Sequence, residues 1–274
     1  MPLPFTHLVA LLDPLSALYT KSPPLKRTVL GAQSSSIITQ WFDHHRPLFT
    51  STRLEPVALF SLLFPELRCD RVYALREEGL VKVIARCLGL GVTRQRQLGE
   101  WRKDADGDLG KMVGRVMRAA ENPSPPVGEE VTVEEIDEAL EELARRSVFS
   151  SPGKRRGGGE GRPAHEILTP LFRRMSSAEG MWLTRAILKC YLPLVIPERV
   201  TMYNYHFLLP HLWAFQNDLR KAVGMLDTPV FRIFPPKPEK RDVRELMDGA
   251  VKLVKPEVGV RIKRVGYAKA RVSL

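Results

Sequence analysis

The sequence predicts an all-α fold, an irregular multi-helix array of about ten or more helices with an extended C-terminal connector. Three observations predict it. Apolar residues recur at three- and four-residue steps through most of the 274-residue chain, the spacing that gives a helix one buried face. Alternation suited to a strand is confined to residues 258–265, which have no evident partner. No repeat returns at a fixed period, which counts against a solenoid scaffold.

Each element has its own warrant. Residues 1–20 place Phe5, Leu8, Leu11, Leu12, Leu15 and Leu18 on one face, with Pro14 inside the helix. Residues 21–27, with Pro23 and Pro24, form a loop, and a helix over 29–45 ends at Pro47. His44 and His45 are adjacent and point apart, so they make no metal pair at i, i+4 spacing. An apolar helix over 55–64 ends at Pro65. Within 67–91, Leu75, Leu80, Val83, Ile84, Cys87 and Leu88 form a buried face, and Gly89 and Gly91 offer a left-handed stop. The run KDADGDLG at 103–110 lacks the ligand spacing and closing Glu of a calcium loop. Residues 131–146 form a marked helix: Thr132 and Glu135 have capping-box spacing, and Val133, Ile136, Leu140 and Leu143 form the seam. That helix is acidic in a basic chain and belongs away from a polyanion.

Residues 147–163 read as a disordered, low-complexity linker holding Lys154, Arg155 and Arg156. That basic knot fits a phosphate contact, a nuclear address or a solvated loop. The chain is organised around residues 167–189. Leu168, Leu171 and Met175 end one helix; Ser176, Ser177 and Glu179 start another that carries Trp182, Leu183, Ile187 and Leu188. Arg185 and Lys189, one turn apart, share a cationic face beyond the apolar one. Pro193, Pro197 and Pro210 then divide short helices, the aromatic run at 203–213 reads as core, and 217–226 is the last helix. From Phe231 onward, Pro235, Pro236 and Pro238 give an extended connector.

Forty-two Lys and Arg against 31 Asp and Glu leave a formal charge of +11, which favours a polyanionic partner, nucleic acid first. No apolar run is long enough to span a membrane, and the first twenty residues lack the basic start of a signal peptide. Three scattered cysteines, Cys69, Cys87 and Cys190, suit buried thiols in a reducing compartment.

Several segments carry a resemblance. Met175, Ser176, Glu179, Trp182, Leu183, Thr184, Arg185, Ile187, Leu188 and Lys189 form one signature, and Phe64, Pro65, Leu67, Arg68, Asp70, Arg71 and Tyr73 a second. Gly107, Asp108, Leu109 and Gly110 form a turn opening a helix, with Leu for an aromatic; His206, Pro210, Gln216, Asn217, Asp218 and Leu219 follow in order. Together they resemble the N-terminal DNA-binding domain of eukaryotic ATP-dependent DNA ligases, most of all fungal proteins related to DNA ligase IV. The resemblance implies a domain over residues 1–230 and a connector over 231–274 leading toward a nucleotidyltransferase domain. It implies a nuclear protein of DNA repair and recombination that holds nicked duplex DNA by its backbone phosphates, with no sequence preference. Candidate contacts are Arg68, Arg71, Arg185 and Lys189, then Arg173 and Arg174, with Lys154, Arg155 and Arg156 as auxiliaries.

Ligases of this class carry AMP on the lysine of a Lys-x-Asp-Gly motif. The run from Lys103 to Gly107 is one residue too long, and Leu246, Met247, Asp248 and Gly249 have leucine in the lysine's place. The segment with Gly259, Val260, Ile262, Arg264, Tyr267, Lys269, Ala270 and Arg271 resembles the stretch just before that motif. The expectation is a truncated chain with no catalytic, cofactor or metal site; ATP and Mg²⁺ belong to a full-length ligase. Its rivals are a free-standing helical scaffold for proteins, and part of an active ligase whose catalytic half lies outside this chain.

Overall fold

Serine, threonine and aspartate at the predicted helix starts close real caps. In the computed structural model, which describes residues 2–51, 56–103, 107–119, 129–150, 161–215 and 218–253, the protein is all-α, with no strand among the described residues. Two compact units form, one from Met1–Ile37 and His44–Ile196, the other from Ile38–Asp43 and Pro197–Leu274.

The first unit contains α1 (Phe5–Tyr19), most of α2 (Arg27–Ser51), α3 (Pro56–Leu63), α4 (Glu77–Cys87), α5 (Val92–Gly99), α6 (Leu109–Arg118), α7 (Val133–Arg145), α8 (Ala164–Phe172) and α9 (Ser177–Leu188). Short 3₁₀ turns lie at Pro65–Leu67 and Glu100–Lys103. Both capping boxes are complete, Thr132 with Glu135 on α7 and Ser176 with Glu179 on α9. Gly89, at φ 59°, ends α4: its N–H donates to Arg86 O at 3.2 Å and that of Leu90 to Ala85 O at 2.9 Å, a Schellman closure. Gly91, at φ −67°, instead precedes α5.

The predicted stop at Pro47 fails, since that residue lies inside α2, while Pro14 lies within α1 as expected. Each removes one backbone donor, but the buried residues Leu11, Leu12, Leu15 and Leu18 flanking Pro14 hold α1 together by packing.

Trp182 is the centre of the first unit. It is fully buried, its Nε1 donates to Asp13 Oδ1 of α1 at 2.7 Å, and its ring meets Tyr191 edge-on at 5.4 Å. Tyr191 in turn donates to Leu62 O at 2.5 Å, and burial raises its phenol pKa. Glycines set how closely α6 and α9 pack. A Cβ on Gly110 would lie 2.9 Å from Met181 O, one on Gly114 3.2 Å from Ser177 O, and one on Gly180 2.2 Å from Met117 Sδ. The first residues are fastened to the start of α7: Phe5 N donates to Val131 O and Val133 N to Leu3 O, both at 2.8 Å.

The second unit holds α10 (Glu198–Tyr205), α11 (Leu209–Phe215), α12 (Leu219–Leu226) and α13 (Val243–Leu253). Phe207 and Trp213 are buried, as the core reading of 203–213 requires, while Tyr203 stays exposed. Phe234 packs 6.4 Å from both Phe207 and Phe231. The proline segment is therefore no free connector: Phe207 N donates to Pro236 O at 3.0 Å, Lys237 pairs with Asp43, and a helix absent from the sequence reading, α13, follows with Ala250 buried. The expected strand at 258–265 lies outside the described residues.

Candidate nucleic-acid interface

Four of the sequence-predicted cations turn inward. Arg71 is 1% exposed; its Nη1 and Nη2 donate to the two oxygens of Asp137 at 2.6 and 2.8 Å, and its Nε to Glu141 at 2.8 Å. Burial opposes that charge, but the Asp137 bonds outweigh it and hold its pKa above the ordinary arginine value. Arg68, also buried, forks onto Asp70 at 2.8 and 2.9 Å and donates to Ser61 Oγ at 2.5 Å. Asp137 and Glu141 come from α7, so the acidic helix neutralises an interior arginine pair. Arg71 thus ties the 68–73 turn to α7, while Asp70 stays within that turn on Arg68.

Arg185 and Lys189 share no solvent face. Arg185 is 3% exposed, donates to Asp108 Oδ2 at 2.5 and 3.1 Å, and lies 4.6 Å from the Trp182 ring. Lys189 has left the helix, at φ 53°; its Nζ donates at 2.6 Å to the carbonyls of both Arg68 and Arg71 and sits 5.3 Å from the Tyr73 ring. Burial lowers its pKa and pushes that of Tyr73 up to about 12. Periodicity could not show this, because the periodicity stops one residue early. Arg173 is exposed, and Arg174 pairs with Glu135 at 2.6 Å. Lys154, Arg155 and Arg156 lie outside the described residues.

The cationic surface that the sequence reading missed is α6. Asp108 caps its start, accepting from Lys111 N at 3.2 Å, and Met112, Val113, Val116 and Met117 are buried with Gly110 and Gly114. Its outward positions are Lys111, half-buried, and Arg115 and Arg118, exposed. They stand at i, i+4 and i+7, one helical stripe of like charge. At about 1.5 Å of rise per residue the stripe is roughly 10 Å long, the length over which one DNA strand presents about three phosphates. Arg94 of α5 adds a cation at the far end, donating to Ala119 O at 3.3 Å, and Arg96 is exposed beside it in sequence. Arg102 and Lys103 lie nearby in sequence but pair with Glu78 at 2.9 Å and Glu100 at 3.1 Å. The spacing of Lys111, Arg115 and Arg118 was legible in the sequence, opposite the apolar series of the same helix.

No cluster of three His, Cys, Asp or Glu suited to a metal occurs among the described residues. His7 and His44 each contact His45, ring to ring, at 4.9 and 4.8 Å. Of the cysteines only Cys87 is buried, with its thiol pKa raised by that burial; Cys69 and Cys190 are exposed, contrary to expectation, because both sit on turns that leave helices.

The family model described as "DNA ligase N terminus" matches residues 4–191. A protein named DNA ligase 4, from Aspergillus oryzae, is 24% identical over 182 residues, which is 64% of this chain and 17% of that ligase. The chain thus corresponds to about a sixth of that relative. The matched residues hold the Arg71–Asp137 pair, the glycine-packed α6 and α9, and the outward stripe of α6, and over them the chain belongs to the DNA ligase N-terminal family.

Proposed function

We propose that this chain binds duplex DNA through its backbone phosphates, without sequence preference, as the N-terminal part of an ATP-dependent DNA ligase serving repair or recombination in the nucleus. The α6 stripe of Lys111, Arg115 and Arg118 carries this reading, on a family member with a net charge of +11. Cations on a packed helix fix register on a phosphate row and read no base edge. Arg68, Arg71, Arg185 and Lys189 contribute indirectly, by holding α7, α9 and the 68–73 turn in place. Sealing itself requires the lysine nucleophile, ATP and Mg²⁺ of a full-length ligase, since the sequence contains no Lys-x-Asp-Gly.

The test is the triple variant Lys111→Ala, Arg115→Ala, Arg118→Ala, with anisotropy of a labelled nicked duplex read across a salt series. The expected result is weaker binding and a log–log salt slope shallower by about 0.9 for each phosphate that the variant no longer neutralises. An unchanged affinity and slope would remove α6 from the interface.

A further inference from the structure

Just past α7 the chain carries an apolar tip pegged on both sides. Ser147 and Ser150 are buried, while Val148 and Phe149 between them are 62% and 76% exposed. The pegs are specific. Ser147 Oγ accepts from Phe149 N at 3.2 Å; Ser150 N donates to Ser147 O at 3.2 Å. Ser150 Oγ lies 2.6 Å from Ala144 O and 3.1 Å from Val72 O, and accepts from Val72 N at 3.1 Å. A large ring is thus held in water by a fixed backbone and not by a loose loop. Exposing an aromatic this fully forgoes the stabilisation its burial would bring, so the core does not explain it.

Arginines flank the tip in sequence. Arg145 and Arg146 are exposed in the turn before it, at the negative end of the α7 dipole. Arg162 is exposed where the described chain resumes, bound to Glu142 of α7 at 2.6 and 2.9 Å, and Gly161 packs against Arg146. An exposed ring three and four residues beyond exposed arginines matches a polyanion that also offers an apolar face. That is a nucleic acid with an accessible base, met by the end of α7 and not by its acidic body. In an intact duplex the bases are stacked away; at a break the terminal base pair exposes its face.

We propose that Phe149 is a base-contacting wedge, stacking on the terminal base pair at a nick or end of duplex DNA, with Arg145 and Arg146 on the flanking phosphates. This rests on the duplex-binding reading above and adds what that reading lacks, a means to prefer broken over intact duplex. Apolar wedges and stacking rings act this way in other DNA-binding proteins.

The experiment compares the full chain with Phe149→Ala and Phe149→Trp on a nicked duplex and on a closed hairpin-ended duplex of the same sequence, with 2-aminopurine beside the nick. Wild type should prefer the nicked duplex and change the 2-aminopurine emission. Phe149→Ala should lose about tenfold on the nicked duplex, keep its affinity for the closed one, and leave the salt slope unchanged; Phe149→Trp should retain the preference. Equal behaviour of wild type and Phe149→Ala on both duplexes overturns the wedge while leaving phosphate binding intact. Failure of wild type to bind either duplex overturns both, and retention of an acidic aromatic peptide by wild type in that case would make the tip a protein contact.

Discussion

The buried arginines Arg68, Arg71 and Arg185 meet carboxylates inside the described structure. Arginines in a basic chain invite a phosphate, yet Arg71 meets Asp137 across 66 residues of sequence and Arg185 meets Asp108 across 77. Sequence spacing shows neither partner, because both pairings exist only once α7 and α6 have docked. Removing one member of such a pair strands a buried charge at a cost of about 3–5 kcal/mol. Local signals fared better: Ser176 with Glu179, Thr132 with Glu135 and Gly89 act within a single turn, so their chemistry is complete in the sequence. His211 supplies a pH dependence. Burial first, then the charge of Arg199, lowers its imidazole pKa below the ordinary 6.5. The unfolded chain therefore takes up that proton before the folded one, and stability falls as pH drops through 6.5, levelling off once the folded-state value is passed. Thermal melts between about pH 8 and 5 should show this loss, and His211→Gln should flatten it; a parallel pH profile for the variant would assign the loss elsewhere.

Among elements, the contact between α6 and α9 decides most. Gly110 and Gly114 on one helix and Gly180 on the other let the two backbones close in, and α6 then has only its cationic stripe to show to solvent. Alanine is the better helix former by about 1 kcal/mol, but a Cβ on Gly110 meets the Met181 carbonyl at 2.9 Å and Arg185 Cγ at 2.8 Å. Overpacking against backbone costs about 1–3 kcal/mol, so Gly110→Ala should lower the melting temperature. Gly180→Ala crowds only the end of Met117, a flexible side chain, and touches Phe172 at an ordinary 3.7 Å, so it should melt closer to wild type than Gly110→Ala. Urea denaturation of the two variants separates them, and equal midpoints would refute the close-packing account. The missed α13 shows the opposite limit of reading from sequence. Three prolines ahead of it suggested an extended chain, while its own warrant is tertiary, the burial of Ala250.

At the scale of the whole molecule, charge and chemistry are divided. The net charge is +11, yet Arg68, Arg71 and Arg185 are spent inside, while Arg115 and Arg118 of α6 are among the cations left at the surface. Nothing in the sequence can accept AMP as a Lys-x-Asp-Gly lysine does. Incubation with ATP labelled in its α-phosphate, followed by denaturing electrophoresis, should show no covalent adduct; a labelled band at the mass of the chain would overturn this. All-α architecture was legible throughout, since helical period is a local property, whereas the grouping of Ile38–Asp43 with Pro197–Leu274 depends on contacts far apart in the chain. The fastening of Leu3 and Phe5 to residues 131–134, and of Asp13 to Trp182, also bears on synthesis. α1 is made well before partners that cover it, Trp182 lying 169 residues beyond Asp13 and Val195 176 residues beyond Tyr19, so this helix must wait with its apolar face uncovered. A chaperone that shields the chain during synthesis would therefore find its apolar face on α1.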